Sequence, residues 1–96
     1  MLMLVTYDVN TSGSAGQRRL RKVAKLCERY GLRVQNSVFE ILVDAAQLAV
    51  LKSELASVID REHDSIRFYR LGNNYRNRID TMGRTGLVQT GEPIIL

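Results

Sequence analysis

The sequence predicts an α+β fold: one antiparallel sheet with two helices on a single face, assembled in the order strand, helix, strand, strand, helix, strand. Three observations predict it. Four short runs rich in apolar, β-branched or aromatic residues have strand character, two segments carry apolar residues at helical spacing, and Gly-, Ser- and Asn-containing breaks separate them. With 96 residues the chain is long enough for one compact core and too short for two, so a single domain over residues 1–96 is expected. A core this small makes a partner chain a natural source of further stability.

Residues 2–9 read as the first strand. Leu2, Leu4 and Thr6 fall on one face and Met3, Val5 and Tyr7 on the other, so both faces are largely apolar and burial on both sides is expected. Helices can cover only one face of a two-layer domain, and a second copy of the chain is the simplest cover for the other. A polar loop at 10–16 follows, and Ser14 with Gln17 has capping-box spacing for a helix running to about Tyr30. Leu20, Val23, Ala24, Cys27 and Tyr30 form its buried stripe, and Gly31 is expected to close it as a C-cap.

Residues 32–43 hold Val34, Val38, Phe39, Ile41 and Val43, interrupted by Gln35-Asn36-Ser37, which predicts two short strands with a tight reversal, one long kinked strand being the competing reading. Asp44 with Gln47 caps a second helix whose stripe is Leu48, Leu51, Leu55, Val58 and Ile59, ending near Asp60. In residues 65–71, Ile66 and Phe68 alternate with Arg67 and Tyr69, and Gly72-Asn73-Asn74 breaks the strand. The order is the ferredoxin-like βαββαβ pattern. The apolar end of the tail at 85–96, with Pro93 before Ile94-Ile95-Leu96, is expected to add a C-terminal edge strand that contributes to a homodimer or partner contact.

Hydrophobic residues make up 45% of the chain and charged residues 25%, the balance of an ordinary globular protein. The apolar run at 1–5 is too short to span a bilayer and lacks the flanks of a signal peptide, so no membrane partner and a cytoplasmic location are expected. The lone Cys27 has no internal disulfide partner. Net charge is +4, and the cations cluster. Arg18, Arg19, Arg21, Lys22, Lys25, Arg29 and Arg33 crowd one segment with a single acid, Glu28, and Arg67, Arg70, Arg76, Arg78 and Arg84 form a second group. Cations gathered this way favour a polyanion, because each phosphate contact releases a condensed counterion. A solvated helix face is the competing reading.

The sequence has no phosphate-binding Gly loop, nucleophile elbow or Cys-x-x-Cys pair, which leaves nucleotide-driven and covalent serine chemistry unsupported. Asp8 stands where the first strand emerges into a loop. A single carboxylate there usually caps a turn. A two-fold axis beside it would supply a second, and Mg²⁺, or another divalent cation such as Mn²⁺, often needs only one or two carboxylates beside water and phosphate. Asp60, Glu62 and Asp64 surround His63 without zinc-type spacing and read as a solvated turn.

The runs at 4–9 (LVTYDV), 33–40 (RVQNSVFE) and 67–74 (RFYRLGNN), with the basic helix between the first two, resemble CRISPR-associated protein two, the Cas2 family. The likeness covers nearly the whole chain and is nearest to the type I-C form. It implies a ferredoxin-like homodimer with facing sheets and paired aspartates beside the two-fold axis. It further implies a role in antiviral spacer acquisition beside the CRISPR integrase subunit, and a magnesium-dependent endonuclease acting on single-stranded RNA or duplex DNA. Asp8 matches the metal-binding aspartate and Tyr7 its neighbour, while Arg33, Ser37 and Phe39 match positions near the active site. Arg18, Arg19, Arg21, Lys22 and Lys25 match the nucleic-acid-binding helix in character. A non-catalytic DNA scaffold, an RNA-binding module and a toxin-like ribonuclease on the same fold are the alternatives.

Overall fold

The computed structural model describes residues 1–83. Its elements are β1 (Leu2–Asp8), α1 (Ser14–Glu28), β2 (Gly31–Gln35), β3 (Val38–Leu42), α2 (Ala45–Val58) and β4 (Ser65–Gly72). The strands form one sheet in the order β2-β3-β1-β4, and every neighbouring pair is antiparallel. The tail at 85–96 and its expected edge strand lie outside the described residues.

Alternation along the strands decides which side faces the helices. Met3, Val5 and Tyr7 of β1 and Phe39 and Ile41 of β3 pack with Val23, Ala24 and Cys27 of α1 and with Leu48, Leu51 and Leu55 of α2 in one core. Burying each large apolar side chain there is worth about 1.5–3 kcal/mol. Ile66 and Phe68 of β4 pack against the same cluster. Leu4, Thr6 and Asp8 alternate onto the other side of the sheet, where their cross-strand partners are Glu40 and Tyr69, Val38 and Arg67, and Ser65 respectively. The expectation that β1 is buried on both faces holds only partly within one chain: Leu2 is buried, Leu4 and Thr6 are half-buried, and Asp8 is exposed.

Two local expectations change. Gly13, and not Ser14, is the N-cap of α1, and no side chain caps it. Gln17 donates its amide to the Gly13 carbonyl at 3.3 Å and its side-chain nitrogen to the Thr11 carbonyl at 3.0 Å, so the loop rather than a capping box holds the helix start. At the other end α1 stops at Glu28 with Arg29 as its C-cap, and Gly31 opens β2 instead of closing the helix. Gly31 is needed for a different reason. A Cβ there would sit 2.0 Å from the Glu40 carbonyl oxygen on β3. Gly31→Ala is therefore expected to destabilise the protein by about 2 kcal/mol or more, since backbone must move to admit the methyl group. Urea denaturation checks this, and an unchanged midpoint would contradict it.

The second helix begins as its sequence indicates. Asp44 accepts from the Gln47 amide at 2.7 Å while Gln47 accepts from the Asp44 amide at 2.9 Å, a reciprocal cap that satisfies two otherwise unpaired donors. Turn residues Asn36 and Ser37 join β2 to β3, and a register shift between Arg33 and Gln35 marks a bulge at Val34. These pairings gather the end of β1, the β2–β3 turn and the start of β4 at one end of the sheet.

Candidate functional site

Asp8 is the last residue of β1 and pairs with Ser65 at the start of β4. Its exposed carboxylate belongs to the face opposite the helices, because it continues the Leu4–Thr6 row. Thr6 and Arg67, and Leu4 and Tyr69, are the next pairs along that face. Among the described residues no three His, Cys, Asp or Glu side chains converge as a metal-binding group. Asp8 is thus the exposed carboxylate that one chain offers on this face at this end of the sheet.

Tyr7 turns the other way, into the core, and is 2% exposed. Its hydroxyl donates to Asp64 Oδ2. Arg19 holds the same carboxylate with two donors, Nε to Oδ2 at 2.9 Å and Nη2 to Oδ1 at 3.2 Å, and the Asp60 amide donates to Oδ2 at 3.0 Å. The Asp64 side chain is wholly buried. Burial alone would raise its pKa, but Arg19, the Tyr7 hydroxyl and the Asp60 amide together hold it below the usual aspartate value. The Tyr7 hydroxyl is pushed up to about 12, chiefly by burial and then by its bond to Asp64. Reading 60–64 as a solvated turn is thus corrected for Asp64, whose partners on β1 and α1 take it inward. Exposed Glu62 and His63 keep that reading; His63 Nδ1 lies 3.0 Å from Asp60 Oδ2 and helps hold the Asp60 carboxyl low.

The three other residues matched near the active site sit around the β2–β3 hairpin. The Ser37 carbonyl accepts from the Tyr7 amide at 2.9 Å, which ties the turn to the residue before Asp8. Arg33 donates from Nε to the Asn36 carbonyl at 2.8 Å, and its guanidinium carbon lies 5.9 Å from the Phe39 ring centroid. Phe39 is fully buried opposite Val5. The geometry makes Phe39 and Ser37 supports of the β1 end, with Asp8 the exposed acid among them.

Arg18, Arg21, Lys22 and Lys25 are exposed on α1, and their spacing of three and four residues puts them along one side of the helix. Arg19 is different. Two of its donors are spent on Asp64, so removing it disturbs the fold as well as any phosphate contact. Arg18→Ala combined with Arg21→Ala is the cleaner test: if both touch phosphate, the slope of log affinity against log salt for a duplex is expected to shallow by about 2 for each copy of the chain in contact. An unaltered slope would put the phosphates elsewhere. Sequence reasoning missed the burial of Asp64 and placed Arg67 only in the second basic group, without linking it to Asp8, its diagonal neighbour in strand register. Alternation alone, which sets Arg67 opposite in facing to Phe68, was the available signal. No helix among the described residues is long and apolar enough to cross a membrane.

Comparison with known proteins adds the following. Residues 1–79 match the family model described as CRISPR associated protein Cas2. The CRISPR-associated endonuclease Cas2 of Halalkalibacterium halodurans is 56% identical over 95 residues, covering 99% of each chain. Streptococcus pyogenes Cas2, solved at pH 6.5, superposes with a TM-score of 0.82 at 57% identity, covering 86% of this chain and all of that one. A chain in a partial Cas6-RT-Cas1–Cas2 complex superposes with a TM-score of 0.65 at 26% identity, covering 99% of this chain and 98% of that one.

Proposed function

This chain belongs to the CRISPR-associated protein Cas2 family, and on that premise we propose that it serves spacer acquisition as a symmetric dimer that holds nucleic acid and cleaves phosphodiesters where two copies of Asp8 meet. The observation that carries this reading is the exposure of Asp8 at the end of β1 on the face that no helix covers. That face is partly apolar, with Leu4 and Val38 half-buried and Tyr69 43% exposed, so a second sheet laid against it would bury apolar area and bring the two aspartates together. The likeness to the type I-C form and the place of residues 85–96 in the dimer belong to the same reading.

The donor chemistry fits Mg²⁺ or Mn²⁺ in a two-chain site, because an exposed carboxylate from each copy supplies the one or two that such an ion uses. When bound, the ion polarises the phosphodiester and lowers the pKa of attacking water. The protein's part is to fix the carboxylates and the substrate. The ladder to β4, the Ser37–Tyr7 hydrogen bond and the buried Tyr7–Asp64 contact hold the end of β1, while Arg18, Arg21, Lys22 and Lys25 attract the backbone of duplex DNA or single-stranded RNA.

The relative named as an endonuclease supports the nuclease reading. The neighbour in a complex with Cas1 supports a partner of that kind, the CRISPR integrase. A second reading, a scaffold that grips DNA without cutting it, is favoured by the contrast between four exposed cations on α1 and one carboxylate per chain. Labelled single-stranded RNA and duplex DNA, each incubated with magnesium or chelator, separate the two. Metal-dependent cutting establishes the nuclease, and tight binding without cutting establishes the scaffold.

A further inference from the structure

Arg67 has no duty in the site as described, yet its position is specific. β4 pairs Arg67 with Thr6 and Ser65 with Asp8, so Arg67 and Asp8 are diagonal neighbours on the face away from the helices. Diagonal partners in an antiparallel pair lie about 7–8 Å apart, within reach of a long side chain. Both residues are exposed. The ion pairs among the described residues are Arg19–Asp64, Arg29–Glu54 and His63–Asp60, so Arg67 and Asp8 face the same solvent without a direct ion pair between them.

Instead Arg67 Nη1 donates to the Tyr69 hydroxyl at 3.3 Å. A neutral acceptor steers the guanidinium and leaves its charge intact. That bond, with a smaller contribution from the Asp8 charge, raises the Arg67 pKa further above its already high value. Arg33 is placed differently, on the helix side of the sheet opposite Phe39 and bonded to its own hairpin. Arg70 pairs with core-facing Met3, so among the described arginines of the strands Arg67 is the one that shares a face with the carboxylate.

We propose that Arg67 is a catalytic residue of the cleavage centred on Asp8, donating to a non-bridging oxygen of the scissile phosphate as negative charge builds there; this rests on the nuclease reading above. In the hydrolysis, the oxygen of water forms a bond to phosphorus and the bond from phosphorus to one ester oxygen breaks. A proton leaves the water and a proton reaches the departing oxygen, giving a phosphomonoester and an alcohol with no change of oxidation state. Between these states phosphorus carries five oxygens and extra negative charge, which the guanidinium fork matches in shape and sign.

The test compares wild type with Arg67→Ala, Arg67→Lys and Asp8→Ala in single-turnover cleavage with magnesium, alongside substrate affinity in chelator and thermal unfolding. Arg67→Ala is expected to slow cleavage ~10²–10³-fold, the usual cost of losing one donor to a developing oxyanion. Affinity in chelator should change by less than about fivefold, as for one exposed charge, and Arg67→Lys should recover part of the rate. Cleavage by Arg67→Ala at the wild-type rate, with Asp8→Ala inactive, would overturn the role of Arg67 and leave Asp8 standing. A loss that merely tracks weaker affinity or a lower melting temperature would overturn it equally. Absence of metal-dependent cutting by wild type would overturn both the nuclease reading and this one.

Discussion

Asp8→Ala is expected to lower magnesium-dependent cleavage by roughly 10³-fold or more while leaving the fold and nucleic-acid affinity in place. The substitution removes a carboxylate that is exposed and ends its strand, so no packing is lost. In a symmetric dimer it removes both copies at once. Metal stabilisation of a reacting phosphate is worth several kcal/mol, and each 1.36 kcal/mol is a factor of ten in rate. Single-turnover cleavage checks the loss, and an unchanged melting temperature shows that it is chemical. Cleavage surviving in this variant would take the reaction away from Asp8.

Asp64→Ala is expected to cost stability instead, by about 3 kcal/mol, because it leaves a buried tyrosine hydroxyl and a largely buried guanidinium without their common acceptor. The charge on Asp64 also gives stability a pH dependence. Its folded pKa lies below the unfolded value near 3.8, so its contribution is complete above about pH 5 and is lost as pH falls through the folded value. Tyr7 works at the opposite end of the scale. With its folded pKa raised to about 12 from 10.0, its contribution is complete below pH 10 and fades as pH climbs toward 12. Urea midpoints for wild type and Asp64→Asn measured at pH 7 and pH 3 isolate the first effect, since the other carboxylates titrate in both proteins. Equal midpoints at pH 7 would mean that the charge on Asp64 adds nothing to stability.

Much of the fold was legible because local pattern and tertiary structure agree. The stripe of Leu48, Leu51 and Leu55 and the Asp44–Gln47 cap each depend on residues within a few positions, and both appear in the structure as the sequence indicates. The start of α1 was not, since Ser14 with Gln17 has the right spacing but Gly13 takes the capping position. Gly31 was assigned to the wrong constraint: a glycine after a helix suggests a left-handed cap, and nothing local reveals a carbonyl on another strand. Asp64 is the strongest case. Its partners Tyr7 and Arg19 are 57 and 45 residues away in sequence, while its neighbours Glu62 and His63 are exposed and polar, so composition pointed outward. Asp8 was legible for the opposite reason, since strand alternation alone sets it on the side away from Tyr7.

The strand order also fixes a sequence of events in time. β1 leaves the ribosome before either strand that flanks it, β3 or β4, has been made. Synthesis at ~5–20 residues per second leaves the edge of β1 that pairs with β4 open for several seconds, until residues 65–72 emerge. The capped α2 and the β2–β3 hairpin can form from nearby contacts during that wait, and β3 can pair with β1, whereas the other edge of β1 waits for β4. A nascent chain stalled before residue 65 should therefore bind chaperone through the β1 segment, and one extended past Gly72 and clear of the exit tunnel should release it.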